Sequence, residues 1–184
     1  MIGALRRGRD EGFYPMHEDS SSRWEAWMRL ALTEADRAAA IDEVPVGAVV
    51  VRDERILARA HNRREVDQNP LAHAELLALR QAAGVAGTWR LSGCTMIVTL
   101  EPCAMCAGAL VNSRVDRLVF GARDPKAGFC GSLGDLVRDP RLNHRLEVVE
   151  GVLAEVAAER LHAFFARLRR PPTGSLEDAE RTER

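Results

Sequence analysis

From residue 23 onward the chain alternates short apolar runs with longer segments of helical periodicity, and this alternation, more than any other feature, restricts it to a layered α/β fold. Trp24, Trp27, Met28, Ala31, Leu32, Ala35 and Ala38 recur at spacings of three and four, which puts them on one face of a helix ending near Ile41. Ser22 stands at the N-cap position, and Glu25 three residues on completes a capping-box pattern. The two Trp on this stripe read as core anchors rather than base-stacking platforms. Val44 to Val51 is a β-branched apolar run interrupted by Pro45 and Gly47, and Arg55 to His61 follows a turn at Asp53-Glu54, the pattern of a hairpin. Asn62 to Pro70 is a polar loop. Ala72 to Ala83 is predicted helical, closed by Gly84, and Thr95 to Leu100 is a short buried strand. Pro102 opens a helix from Cys103 to Val111, where its missing N–H costs nothing. Val115 to Phe120 and Leu146 to Glu150 are two further strands on either side of a glycine-rich loop from Gly121 to Asp135; Leu153 to Leu168 is a terminal helix that Pro171-Pro172 stops. Five strands interleaved with helices predict one sheet with helices on its faces.

The length of 184 residues suits one domain with a substantial core. Residues 1–22, mixed in charge and ending on Ser20-Ser21-Ser22, read as a flexible extension, residues 23–170 as the folded domain and residues 171–184 as a disordered polar tail. The 26 Lys and Arg against 27 Asp and Glu leave a formal charge of −1, and 46% of residues are hydrophobic. That balance excludes wholesale disorder and a polybasic nucleic-acid arm, yet it permits a polynucleotide held by a local basic face. One such face is visible: Arg123 to Arg145 holds five basic and three acidic residues. A second set, Arg160, Arg167, Arg169 and Arg170, studs the last helix, where a solvated surface is the plain explanation. Lys126 is the only lysine, and so uniform a preference for Arg reads as composition bias. No secretory signal and no span of ~18 apolar residues is present, so the expectation is a reduced, cytoplasmic protein whose thiols are free for metal or catalysis.

Chemistry concentrates at two helix starts, His73-Ala74-Glu75 and Pro102-Cys103-Ala104-Met105-Cys106. Two cysteines separated by two residues at a helix start can face one ion, and the helix dipole eases their deprotonation. A histidine supplied from elsewhere makes three N/S ligands, leaving the fourth tetrahedral position for water, the mark of a catalytic zinc site. Glu75 follows the histidine closely enough to reach that water without binding the ion, and so suits a proton carrier. Taken singly, each group has a plainer role: a structural histidine, a first-turn glutamate, a redox pair. Cys94 and Cys130 lack partners at ligand spacing, and Cys94 reads as a small buried hydrophobe.

With H-x-E and P-C-x-x-C in place, the chain resembles the zinc-dependent cytidine/deoxycytidylate deaminase superfamily. Further stretches draw the likeness toward the members that convert the wobble adenosine of a tRNA anticodon to inosine: Glu43-Val44-Pro45-Val46-Gly47-Ala48-Val49, Leu100-Glu101 before the cysteine motif, Ser113-Arg114, Phe120-Gly121-Ala122-Arg123-Asp124 with Lys126 and Gly128, and Asn143-His144-Arg145. The resemblance spans about residues 23 to 170. It implies a three-layer α/β/α fold around one mixed five-stranded sheet, with one zinc per subunit on His73, Cys103 and Cys106. It further implies Glu75 as proton shuttle, with Asn62 and the backbone at Ala74 holding the purine. The implied partner is a tRNA anticodon stem-loop, that of an arginine tRNA beginning with A, with Arg123, Asp124, Lys126, Arg169 and Arg170 as RNA-contact candidates. A homodimer is implied as well, packed through the helix after the cysteine motif, where Ala104, Ala107, Gly108 and Ala109 are small enough for close approach. Arg64, Leu71 and Phe129-Cys130 depart from the usual pattern on loops leading to the site.

Two other classes of function share these residues. A small-molecule deaminase acting on guanine, cytosine or a nucleoside would turn over the free base without RNA. A non-catalytic zinc-binding module would be indifferent to Glu75→Ala.

Overall fold

A computed structural model of the chain describes residues 20–169. The expected flexible extension up to residue 19, the expected disordered tail and Arg170 lie outside the described residues. Four helices and five strands follow in the order α1 (Ser20–Ala40), β1 (Gly47–Arg52), β2 (Arg55–His61), α2 (Ala74–Ala86), β3 (Thr95–Leu100), α3 (Ala104–Asn112), β4 (Arg117–Ala122), β5 (Glu147–Val149) and α4 (Ala154–Leu168). The strands form one mixed sheet in the order β2-β1-β3-β4-β5. β1 pairs antiparallel with both β2 and β3, whereas β4 pairs parallel with β3 and with β5. The parallel pair β3–β4 is joined through α3, the kind of crossover a parallel connection demands.

Side chains alternate across the sheet with a period of two, so each strand feeds both layers. Val49, Val51, Ile97 and Val119 meet Trp24, Met28, Ala31 and Leu32 of α1 and Ala157 of α4. Ala48, Val50, Met96, Val98, Leu118 and Phe120 meet Ala74, Ala78 and Ala82 of α2 and Ala107 and Leu110 of α3 on the opposite face. Central strands covered on both faces explain why Val46 to Val51 and Thr95 to Leu100 read as continuous rather than alternating apolar runs. The expected three-layer arrangement is present, with α1 and α4 on one face and α2 and α3 on the other.

Element boundaries shift where the local signal competes with tertiary pairing. α1 opens at Ser20, so Ser22 falls inside its first turn rather than at the cap. Gly84 lies within α2; the helix runs on to Gly87, whose left-handed φ of 65° ends it. β4 reaches Gly121 and Ala122, placed in a loop by sequence, because Leu100 pairs with Ala122 and only a residue without Cβ can lie this close to the Thr99 carbonyl. Gly47 has the same explanation: a Cβ there would stand 2.0 Å from the Ala31 carbonyl oxygen and 2.5 Å from the Ala35 nitrogen, so α1 rests directly on β1. The hairpin turn at Asp53 and Glu54 has positive φ at both residues, 49° and 60°, as the type I′ geometry requires.

The register brings four chain segments to one end of the sheet. Gly47 pairs with His61, Ala48 with Val98 and Leu100 with Ala122, so the start of β1 and the carboxyl ends of β2, β3 and β4 lie together. The first turns of α2 and α3 open onto that same end. Among the described residues no helix is long and apolar enough to cross a membrane.

Candidate active site

His73 and Cys103 are the N-cap residues of α2 and α3, with extended backbone (φ −75°, ψ 147° and φ −70°, ψ 173°). Neither side chain bonds back to its own helix. They turn instead toward each other: Nδ1 of His73 lies 3.9 Å from Sγ of Cys103 and 3.5 Å from Sγ of Cys106, the latter one turn into α3 and wholly buried. The three donor atoms fall within 4.8 Å of one another. A tetrahedral ion with bonds of about 2.3 Å to sulfur and about 2.0 Å to nitrogen separates those ligands by roughly 3.5 Å, so the donor set fits zinc in both chemistry and spacing.

Two helix N-termini aim their positive ends at these thiols. The Cys103 thiol, hydrogen-bonded by the Cys106 thiol and by the His73 ring, is held far below the ordinary cysteine range, at about 3. Cys106 is pushed up by the same hydrogen bond and by burial. The Cys103 sulfur in turn raises His73. Glu75, in the first turn of α2 and 4% exposed, has its carboxyl raised by burial. These are the shifts expected where a hydrophobic enclosure meets a cluster of titratable groups.

A cavity of about 200 Å³ lies over the cluster. Val44, Val46 and Leu100 form an apolar wall, and Asn62, His73, Glu75, Cys103 and Asp124 present polar atoms to it, with Arg64 at its rim. Sequence therefore places His73, Cys103, Cys106, Glu75 and Asn62 where the fold assembles them. Ala74 is buried between His73 and Glu75 and does not line the cavity. Asn62 is nearly enclosed, and its Nδ2 donates to Oε2 of Glu43 at 2.9 Å.

The RNA-contact candidates divide. Asp124 lines the cavity, and its Oδ1 accepts the N–H groups of Lys126 and Ala127. Lys126 is exposed beside it. Arg123 is exposed but ion-paired with Glu150 at 2.6 Å, and Arg169 is exposed at the end of α4. Arg160 is tied back to Asp36 of α1 and Arg167 to Asp42 in the turn after it, each at 2.7 Å. Of the small residues in α3, Ala107 is buried within the subunit and is not available to a partner; Ala104, Gly108 and Ala109 reach the surface. All four cysteines are free, and Cys94 and Cys130 are buried away from the ligand set.

Two buried acids beside the site, Glu43 and Glu101, have no role that the sequence assigns. Glu43 is wholly enclosed behind Asn62, and its Oε1 accepts the N–H of Val66 at 2.8 Å. Glu101, 2% exposed, accepts the N–H groups of Asp124, Cys130 and Ser132 and the hydroxyl of Ser132, holding the 124–132 loop against the site. Gly128 allows that loop to approach, since a Cβ there would meet the Glu101 carboxyl at 2.4 Å. An acid at the edge of an apolar run, as in Glu43-Val44 and Leu100-Glu101-Pro102, is the signal that could have found both.

A family model described as MafB19-like deaminase matches residues 22–169. The chain is similar to the tRNA-specific adenosine deaminase of Bacillus subtilis (strain 168), at 53% identity over 79% of this chain and 91% of that protein. It is also similar to a solved structure from a study of A-to-I editing by tRNA:A34 deaminases at the wobble position, with a TM-score of 0.72 and 43% identity over 74% of this chain and 99% of that one. The guanine deaminase of Nitrosomonas europaea shares the fold at a TM-score of 0.67, with 26% identity over 89% of this chain and 100% of that one. The match over 148 of 184 residues, with helix starts that bring His73, Cys103 and Cys106 of the H-x-E and P-C-x-x-C motifs together beneath one cavity, establishes that the chain belongs to the MafB19-like deaminase family.

Proposed function

We propose that this protein hydrolytically deaminates adenosine to inosine at the wobble position of a tRNA anticodon. The observation that carries the reading is the cavity above the point where His73, Cys103 and Cys106 converge beside buried Glu75, in a chain 53% identical to a tRNA-specific adenosine deaminase. His73, Cys103 and Cys106 would hold one zinc ion per subunit, which would supply an activated water for attack on the purine ring carbon that carries the amino group. Glu75 takes the proton of that water on its carboxyl and delivers it to a ring nitrogen. It then assists departure of the amino group as ammonia, so water and adenosine give inosine and ammonia. Burial raises the Glu75 carboxyl, so it retains an accepted proton more readily than a solvated carboxylate does. Asn62 holds the ring, and Val44, Val46 and Leu100 exclude solvent from it.

A cavity of about 200 Å³ takes a base but not a helix, so the adenosine must leave its stack. A neighbouring groove of about 390 Å³ shares Val44, Leu100 and Asp124 with the site and continues past Lys126 to His162 and Phe165, a path for the flanking nucleotides. Arg123, Lys126 and Arg169, with Arg170 beyond the described residues, are the phosphate contacts of this reading. The protein acts in the cytoplasm as a homodimer. Its partner surface is the apolar face where Leu76, Leu79 and Ala83 of α2 meet Trp89 and Ala109, with Ala104 and Gly108 on the same helix as Ala109.

The test is paired turnover: an anticodon stem-loop beginning with A is converted to inosine, free guanine and cytosine are not, and Glu75→Gln retains zinc but loses activity. The likeness to a guanine deaminase favours free guanine as the alternative substrate, and rapid guanine turnover with an inert stem-loop overturns the tRNA reading.

A further inference from the structure

We propose that Glu43, which no part of the reaction described above uses, is a positioning residue that decides which way round the Asn62 amide faces the substrate; the inference rests on Asn62 as the group that holds the ring. Glu43 is wholly buried, and both of its carboxyl oxygens accept hydrogen bonds: Oε1 from the backbone N–H of Val66 at 2.8 Å and Oε2 from Nδ2 of Asn62 at 2.9 Å. A side-chain amide has nearly the same shape either way round, and only its partners select the orientation. Glu43 offers Asn62 an acceptor and nothing else, so the Asn62 atom facing it must be the nitrogen. Among the described residues the Asn62 oxygen receives no hydrogen bond, and it is not sealed from solvent. It therefore faces the cavity together with the second Nδ2 proton, an adjacent acceptor and donor. That pair matches a purine edge carrying an amino group beside a ring nitrogen.

The Val66 N–H makes the arrangement directional. In Glu43→Gln the backbone donor still requires an oxygen at the Oε1 position, which leaves the new NH2 group facing Asn62. Asn62 must then turn its oxygen toward residue 43 and its NH2 toward the cavity. One isosteric substitution behind the site thus exchanges donor and acceptor on the substrate side without touching the substrate. This differs from Asn62→Ala, which removes both.

The experiment is a double-mutant cycle on stem-loop deamination with Glu43→Gln, Asn62→Ala and the combined variant, each checked for zinc content and thermal midpoint. Acting through Asn62, Glu43→Gln lowers kcat/KM by about 10- to 100-fold in the parent but by less than about twofold in the Asn62→Ala background. Equal losses in both backgrounds, with zinc retained, overturn the proposal and leave Glu43 a loop anchor. A second measurement needs neither the variant nor turnover: in the 15N-labelled parent, one Nδ2 proton of Asn62 exchanges with solvent far more slowly than its twin. Equal, fast exchange of the two protons overturns the proposal by itself. An inert parent enzyme would refute the tRNA reading, while the exchange measurement would still decide the role of Glu43.

Discussion

Replacing Glu101 by Gln isolates the contribution of one buried acid at constant shape. In the parent, Oε1 accepts the backbone N–H groups of Cys130 and Ser132, and Oε2 accepts that of Asp124 and the Ser132 hydroxyl. The amide can seat its NH2 at either position. At Oε1 it would face two backbone donors; at Oε2 it faces one, and the Ser132 hydroxyl can rotate to accept. The second arrangement wins and leaves the Asp124 N–H without a partner. An orphaned buried donor costs about 1–3 kcal/mol, and the two bonds retained at Oε1 weaken from ionic to neutral strength at about 1 kcal/mol each, for a total near 3–5 kcal/mol. Urea denaturation measures the total. Hydrogen exchange locates it: the amides of Asp124, Cys130 and Ser132 lose protection, while the centre of β1 does so only in step with global stability. A loss below about 1 kcal/mol, or unchanged protection at Asp124, would refute the assignment of Glu101 as the hub of the loop.

Burial pushes the Glu101 carboxyl up, but the Ser132 hydroxyl and three backbone donors more than offset it and hold it below the ordinary 4.5; its stabilisation is complete above that value and disappears as pH falls through the lower folded one. Stability between about pH 5 and 3 should therefore fall more steeply in the parent than in Glu101→Gln, as equilibrium unfolding at several pH values will read. Gly47→Ala drives a Cβ into the α1 backbone and should cost about 3 kcal/mol or more, whereas Gly84→Ala, in open space within α2, should stabilise by about 0.5–1 kcal/mol; equal signs in the two thermal midpoints would contradict the packing described. Glu54→Gly removes a side chain from a positive-φ turn position and should stabilise by about 0.5–1 kcal/mol, checked by the same midpoint. Removing zinc with a chelator, or replacing Cys103 by Ala, should abolish turnover, and elemental analysis of the variant should show the metal gone.

Periodicity identified every strand and helix because each element obeys its local pattern in a fold of ordinary two-sided layers. Boundaries differ from the local pattern where local signals compete with distant ones. Gly84 looks like a helix stop, yet nothing near it obstructs the chain, and α2 continues to a glycine with left-handed backbone. Gly121 looks like loop but is held in β4 by its pairing with β3. The convergence of His73, Cys103 and Cys106 was legible because metal chemistry restricts residue type and spacing so tightly. The acids behind it were not, since a carboxyl group in sequence does not reveal that its partners are backbone amides some 20 to 30 residues away. Ala107 shows the converse: small residues in a helix suggest close packing without telling whether the neighbour belongs to the same subunit.

Positions 73 and 103 begin two helices, and by helix chemistry alone Asp, Ser or Thr would serve better at both, each improving stability by about 1 kcal/mol. His and Cys stand there with their donor atoms turned away from the N–H groups they could have satisfied. The metal-free fold is therefore less stable than its backbone permits at the two residues on which the proposed chemistry depends most. Selection of this chain for heat resistance alone would drift toward Asp or Ser at both positions, and the most robust survivors would be inert.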